Sequence, residues 1–135
     1  MKKVLLYIWQ LPQNLLGLLV ILFTRARYNN ISYKRDECFW LSHKYDFGVC
    51  LGEYIIIGAN YNRMIKVETF NHEKGHKKQS KMLGPLYLLL IGLPSITGNI
   101  YDRIAHRNWS YLARTEWYYK QPWEAWADKL GGVER

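Results

Sequence analysis

Two histidines four positions apart, His72 and His76, enclose a glutamate in the run N-H-E-K-G-H, an arrangement suited to binding a metal ion and activating its bound water. On a helix, positions i and i+4 lie one above the other, so both imidazoles can reach a single tetrahedral zinc ion at about 2.0–2.1 Å per bond. Glu73, one residue on, is turned by about 100° around the helix axis. That offset lets it flank the ion without binding it. A carboxylate in that position can take the proton from a zinc-activated water as the water attacks a carbonyl, while the metal lowers the water's pKa and polarises the substrate oxygen. Glu73 is the expected general base. Gly75 in the same turn costs about 1 kcal/mol relative to alanine in a helix and marks either a close approach of another element or room beside the metal.

A catalytic zinc site needs three protein ligands and an open fourth position. Near the other end of the chain stands W-E-A-W-A-D-K-L-G-G, in which Glu124 and Asp128 share a helix face. With this pair added, the sequence resembles the gluzincins, the thermolysin-like zinc metallopeptidases, whose downstream helix carries a Glu ligand followed four residues later by an Asp. The resemblance implies that His72, His76 and Glu124 bind Zn2+ and that Glu73 is catalytic. It also implies that Asp128 accepts the second ring N–H of His72 and so fixes its tautomer.

The likeness covers two short segments, and the 47 residues between His76 and Glu124 exceed the spacing in thermolysin-like enzymes. Gln79 and Met82 stand where the metzincin pattern requires Gly and His, which excludes that subclass. A site-2-protease-like alternative would promote Asp128 to third ligand. The chain also resembles small bacterial metallopeptidases that share H-E-x-G-H, an apolar G-P-L-Y segment and a terminal A-D-x-L-G-G. The implied partner is a peptide or protein substrate, which residues 49–57 could bind by strand addition if they present a sheet edge. His106, Arg114, Tyr118 and Tyr119 have the chemistry to stabilise an oxyanion, although each also suits a structural role. The alternative function is a non-catalytic, zinc-stabilised, membrane-associated binding or structural protein.

The elements that must position these residues suggest an α+β fold in a single zincin-like domain over residues 1–135, a length that supports one core. Aromatic and branched residues punctuated by glycines at about 37–57 predict a small antiparallel sheet. The motif helix is expected at about 67–83, stopped by Gly84 and Pro85, and a short C-terminal helix at about 122–130 opens on Pro122 and closes on Gly131 and Gly132. Two apolar helices are expected at 4–23 and 86–97. Pro94 interrupts the second, while Gln10, Pro12, Gln13 and Asn14 interrupt the first, favouring a kinked, re-entrant or interfacial arrangement over a straight span.

The first run lacks a signal-peptidase pattern and is read as retained. The net charge of +8 is scattered in small clusters beside the apolar runs, a pattern that suits an anionic membrane surface. Membrane association is therefore expected, with a cytoplasmic protein burying both runs as the alternative. Nucleic-acid binding is not expected, because no zinc-finger spacing, RNP-like segment or base-reading basic helix is present. Cys38 and Cys50 read as two buried thiols, with a disulfide as the alternative.

Overall fold

The apolar N-terminal run does not form one helix. In the computed structural model, which describes residues 2–29 and 39–135, it folds as α1 (Lys2–Trp9) and α2 (Leu11–Thr24), bent by 80° at Gln10. Pro12, in the first turn of α2, has no N–H to donate back into α1. Gln10, Gln13 and Asn14 are fully buried, so the polar residues of this run point into the protein. The Gln10 amide donates to Glu53 Oε1 at 3.1 Å, the Gln13 amide to the Gly84 carbonyl at 2.7 Å, and Asn14 Oδ1 accepts the Glu53 N–H at 2.8 Å. The bend is thus fastened to the rest of the fold by hydrogen bonds of buried side-chain amides.

Among the described residues four short strands follow: β1 (Arg27–Asn29), β2 (Phe39–Ser42), β3 (Gly48–Leu51) and β4 (Tyr54–Gly58), in the order β1-β2-β4-β3. The α+β class holds, but the sheet is mixed and not purely antiparallel. β1 and β3 pair antiparallel with their neighbours, while β2 runs parallel to β4 with Leu41 opposite Ile57. The cause is local. A tight hairpin at Gly52, whose φ is +65°, commits β3 to one side of β4, and β2 takes the other side.

β4 is therefore central and covered on both faces, which is why Ile55, Ile56 and Ile57 are apolar without alternation. Ile55 and Ile57 pack with Phe39 and Phe70, and Ile56 packs with Ile21 and Ala26. β1 lies before the predicted sheet, whereas residues 37 and 38 of that expectation fall outside the described residues. Cys50 is buried, and Cys38, its partner in the disulfide alternative, also lies outside them.

α3 (Arg63–Leu83) carries the histidines and starts earlier than expected because Asn62 caps it, Oδ1 accepting the Ile65 N–H at 2.9 Å. After Gly84 the second apolar run is not one regular helix either. A 3-10 turn (Gly84–Leu86) and a π turn (Leu88–Gly92) lead into α4 (Leu93–Ala105). Pro94 cannot donate to the preceding turn, and the Leu93 N–H reaches back five residues to the Leu88 carbonyl, widening the ladder there. α5 (Tyr111–Tyr119) was not legible in the periodicity; α6 (Pro122–Gly131) was. Among the described residues no single helix is long and apolar enough to cross a membrane, although two bent pairs reach the necessary length.

Candidate metal centre

The site depends first on how closely α3 and α6 approach. A β-carbon on Gly75 would meet the Ala127 carbonyl oxygen at 1.9 Å, and one on Gly131 would meet the Asn71 carbonyl oxygen at 2.1 Å. Only glycine fits at these crossings. The two helices therefore pack nearly backbone to backbone, and the inward face of α6 brings Glu124 and Asp128 against His72 and His76.

His72 Nε2, His76 Nε2 and Glu124 Oε2 form a triangle with sides of 3.0, 3.1 and 3.1 Å. All three residues are buried, and together they could hold a metal ion. Their spacing is slightly tighter than the separation of about 3.3 Å between neighbouring ligands on a tetrahedral zinc. The far side of each ring explains the orientation. His72 Nδ1 donates to Asp128 Oδ1 at 2.6 Å and His76 Nδ1 to Gln79 Oε1 at 2.7 Å. The Gln79 amide is itself oriented, because its Nε2 donates to the Trp123 carbonyl at 2.9 Å.

With both Nδ1 protons spoken for, the Nε2 lone pairs converge on a carboxylate oxygen. Three such acceptors repel one another unless positive charge sits among them, as a metal ion or as a proton on a ring. Burial pulls the His72 pKa down, but the Asp128 and Glu124 carboxylates outweigh it and the ring is pushed up to about 10. His76 is raised in the same way, burial being outweighed chiefly by Glu124. Glu124 is buried, which alone would raise its pKa, yet the two imidazoles hold it well below the usual carboxylate range. The donor set fits a cation.

Glu124 Oε1 faces away from the histidines and accepts from Ser95 Oγ at 2.5 Å and from the Tyr118 hydroxyl at 2.9 Å. These bonds aim Oε2 at the imidazoles. Asp128 does not join the triangle: Oδ1 is taken by His72, and Oδ2 accepts from Arg135 Nε at 2.8 Å. Arg135 also pairs with Glu68 and lies 3.5 Å over the Tyr119 ring.

Glu73 is buried beside the triangle on the wall of a cleft of ≈ 510 Å³ that reaches all three candidate ligands. Burial pushes its carboxyl pKa up, and although His76 and His72 oppose this, the net shift is upward. Across the cleft, a β-carbon on Gly48 would come within 2.7 Å of Glu73 Oε1. Gly48 belongs to the edge strand β3. Because the Gly58 N–H donates to the Phe47 carbonyl, the two-residue alternation of the ladder turns the N–H and C=O of Gly48 away from β4. The same alternation turns out the Cys50 carbonyl, which accepts the Tyr87 hydroxyl at 3.0 Å.

Of the four oxyanion candidates, three line the cleft and one does not. His106 is stacked on Trp109 and bonded through Nδ1 to Asp102. Arg114 lines the cleft but gives Nε and Nη2 to the same Asp102. Tyr118 donates to Glu124, and Tyr119 stands edge-on to His72 with ring centres 5.0 Å apart.

The sequence reading missed Gln79, Ser95, Gly48 and Arg135. Gln79 had a signal, since it lies three residues after His76 on the same face of α3. Ser95 was a polar residue standing in an apolar run. Nothing in sequence spacing links Gly48 or Arg135 to the site. Comparisons of this chain with protein-family models, curated proteins and solved structures give no match.

Proposed function

We propose that this chain is a zinc-dependent peptidase in which His72, His76 and Glu124 hold the metal and Glu73 is the general base. The observation that carries the reading is the triangle of Nε2, Nε2 and Oε2 at 3.0–3.1 Å, with each ring's other nitrogen already bonded and a carboxylate beside it on an open cleft. Two imidazoles and one carboxylate are a donor set that suits zinc. When bound, zinc would supply Lewis acidity toward a carbonyl oxygen and lower the pKa of water.

The remaining work falls to the chain. Asp128 and Gln79 keep both rings in the Nδ1–H tautomer, and Ser95 and Tyr118 keep Glu124 aimed at them. Glu73, desolvated and held near Gly48, takes the proton of the attacking water and returns it to the leaving amine. The outward N–H and C=O of Gly48 offer an extended peptide a place to pair along β3, which lays a scissile bond across Glu73.

The test is elemental analysis beside peptide-library cleavage. Wild type should carry one zinc per chain and cleave; Glu73→Gln should keep the zinc and lose cleavage. A metal that only braces the fold would leave every peptide intact in both proteins, and full cleavage by Glu73→Gln would remove the assigned base.

A further inference from the structure

The bent α1–α2 pair is amphipathic in an inverted sense, and the 86–104 segment also turns an apolar face outward. α1 buries none of its residues, and from the bend through α2 the buried positions are Gln10, Gln13, Asn14, Gly17, Ile21 and Thr24, while the leucines face outward, with Leu22 and Phe23 72% and 79% exposed. Leu86, Leu89, Leu93, Ile96, Ile100 and Ile104 recur at three- and four-residue spacing and are all exposed, whereas Tyr87, Ile91, Ser95 and Asp102 on the other side face the protein. The two surfaces meet. Trp9 packs on Gly84, where a β-carbon would lie 2.1 Å from its ring, and donates to the Lys81 carbonyl. An apolar surface of this extent leaves a large area of hydrocarbon in water unless something covers it.

The charge pattern identifies the cover. Residues 2–29 and 74–101 contain no Asp or Glu, and the exposed cations Lys2, Lys3, Arg25, Arg27, Arg103 and Arg107 stand at the ends of the apolar segments. A second copy of the chain docked through the same face would set these cations against their own counterparts. An anionic headgroup layer matches them instead. α2, at 14 residues, is about 21 Å long, short of the roughly 30 Å hydrocarbon core, and both pairs are sharply bent. This geometry suits helices lying in the interface better than a straight span.

We infer that the outer faces of α1, α2 and the 86–104 segment form one surface that seats in the interface of an anionic bilayer, with the mouth of the metal cleft at its border. Ile96 and Tyr111 carry the second half of this statement, because both line the cleft and are 62% and 84% exposed. Given the peptidase reading, on which this step rests, the substrate class is a polypeptide segment close to a membrane anchor. The opposite wall of α4 holds Ser95 on Glu124, so one helix both borders lipid and orients a candidate ligand.

The test uses the full chain with phosphatidylcholine vesicles, with or without about one-third phosphatidylglycerol. Wild type and Glu73→Gln should float equally with the anionic vesicles and several-fold less with the neutral ones. Phe23→Glu and Ile104→Glu, one on each pair, should each lower the bound fraction about tenfold or more with an unchanged melting temperature, because a carboxylate does not enter hydrocarbon. Undiminished flotation of both variants, or a vesicle-indifferent dimer, overturns the surface. A peptide tethered by an acyl chain should be cut at least tenfold faster on anionic vesicles than the same peptide untethered. Equal rates overturn the substrate class. Cleavage of neither peptide by the metal-loaded, vesicle-bound wild type removes the peptidase reading and its substrate together, while flotation still supports the surface.

Discussion

The Gly75 Cα and the Ala127 carbonyl approach so closely that a single methyl group on Gly75 would lie 1.9 Å from that oxygen. The backbone atom cannot swing aside as a side chain could, so the methyl must push α6 away from α3. Since α6 carries Glu124 and α3 carries both histidines, the displacement opens the triangle. Gly75→Ala should destabilise the protein by about 1–3 kcal/mol through overpacking, despite the gain of about 1 kcal/mol in helix propensity. Thermal melts with and without zinc check this, and the metal-dependent rise in melting temperature should shrink.

Glu73→Gln preserves shape and removes the proposed base. Zinc stoichiometry should match wild type, while turnover should fall by about 10²–10⁴-fold, the usual contribution of a positioned general base. Elemental analysis and cleavage rates on one sample separate the two effects.

Glu124 and Asp128 should respond differently, because one faces the triangle and the other stands behind His72. Glu124→Ala removes a candidate ligand and should abolish stoichiometric zinc after dialysis. Asp128→Asn leaves the candidate ligands in place but weakens the bond that holds the His72 ring, and should cost about 10–100-fold in zinc affinity. Competition with a chelator of known affinity measures both, and equal losses would contradict the division of roles.

Gly48 is a probe of Glu73 from the opposite wall. A β-carbon there meets only side-chain atoms, Thr69 Cγ2 at 2.5 Å and Glu73 Oε1 at 2.7 Å, which can move. Gly48→Ala should therefore fold and bind zinc nearly as wild type does, yet lose turnover as the carboxylate is displaced. A kcat effect without a metal effect is the expected signature.

Glu53 supplies a pH test away from the metal. Burial raises its pKa, but hydrogen bonds from Lys77 and Gln10 and the charges of Lys77 and Lys81 outweigh this and the net shift is downward from 4.5. A carboxyl whose folded pKa is depressed contributes stability that is present above its unfolded value and lost as pH falls through the folded one. Wild type should therefore be more stable than Glu53→Gln near neutral pH, with the gap closing below about pH 4.5. Urea melts across that range check it, and a gap that persists at low pH would show that the hydrogen bonds alone are responsible.

Much of the site was legible without coordinates because its parts are local. The i, i+4 spacing of His72 with His76 and of Glu124 with Asp128 is set by helix geometry, and a helix imposes that geometry wherever it forms. The glycine at position 75 marked either a close approach or room beside the metal, and the fold shows the close approach. Gln79 was within reach, being on the same helix face as His76. Strand direction was not, since the parallel pairing of β2 with β4 depends on which side of β4 the hairpin leaves open, a choice made between distant segments.

From the sequence came the motif helix and the C-terminal helix, the faces of each that carry imidazole or carboxylate, and the prolines that interrupt the apolar runs; α5 did not. Folding puts Glu124 and not Asp128 in the triangle, sets Ser95 and Tyr118 against it, and turns Gln10, Gln13 and Asn14 inward while leucines turn out. Periodicity records the angle of a side chain about its own helix axis. The distance and tilt between two helices come from glycine contacts and buried hydrogen bonds between residues dozens of positions apart, and no local pattern encodes them.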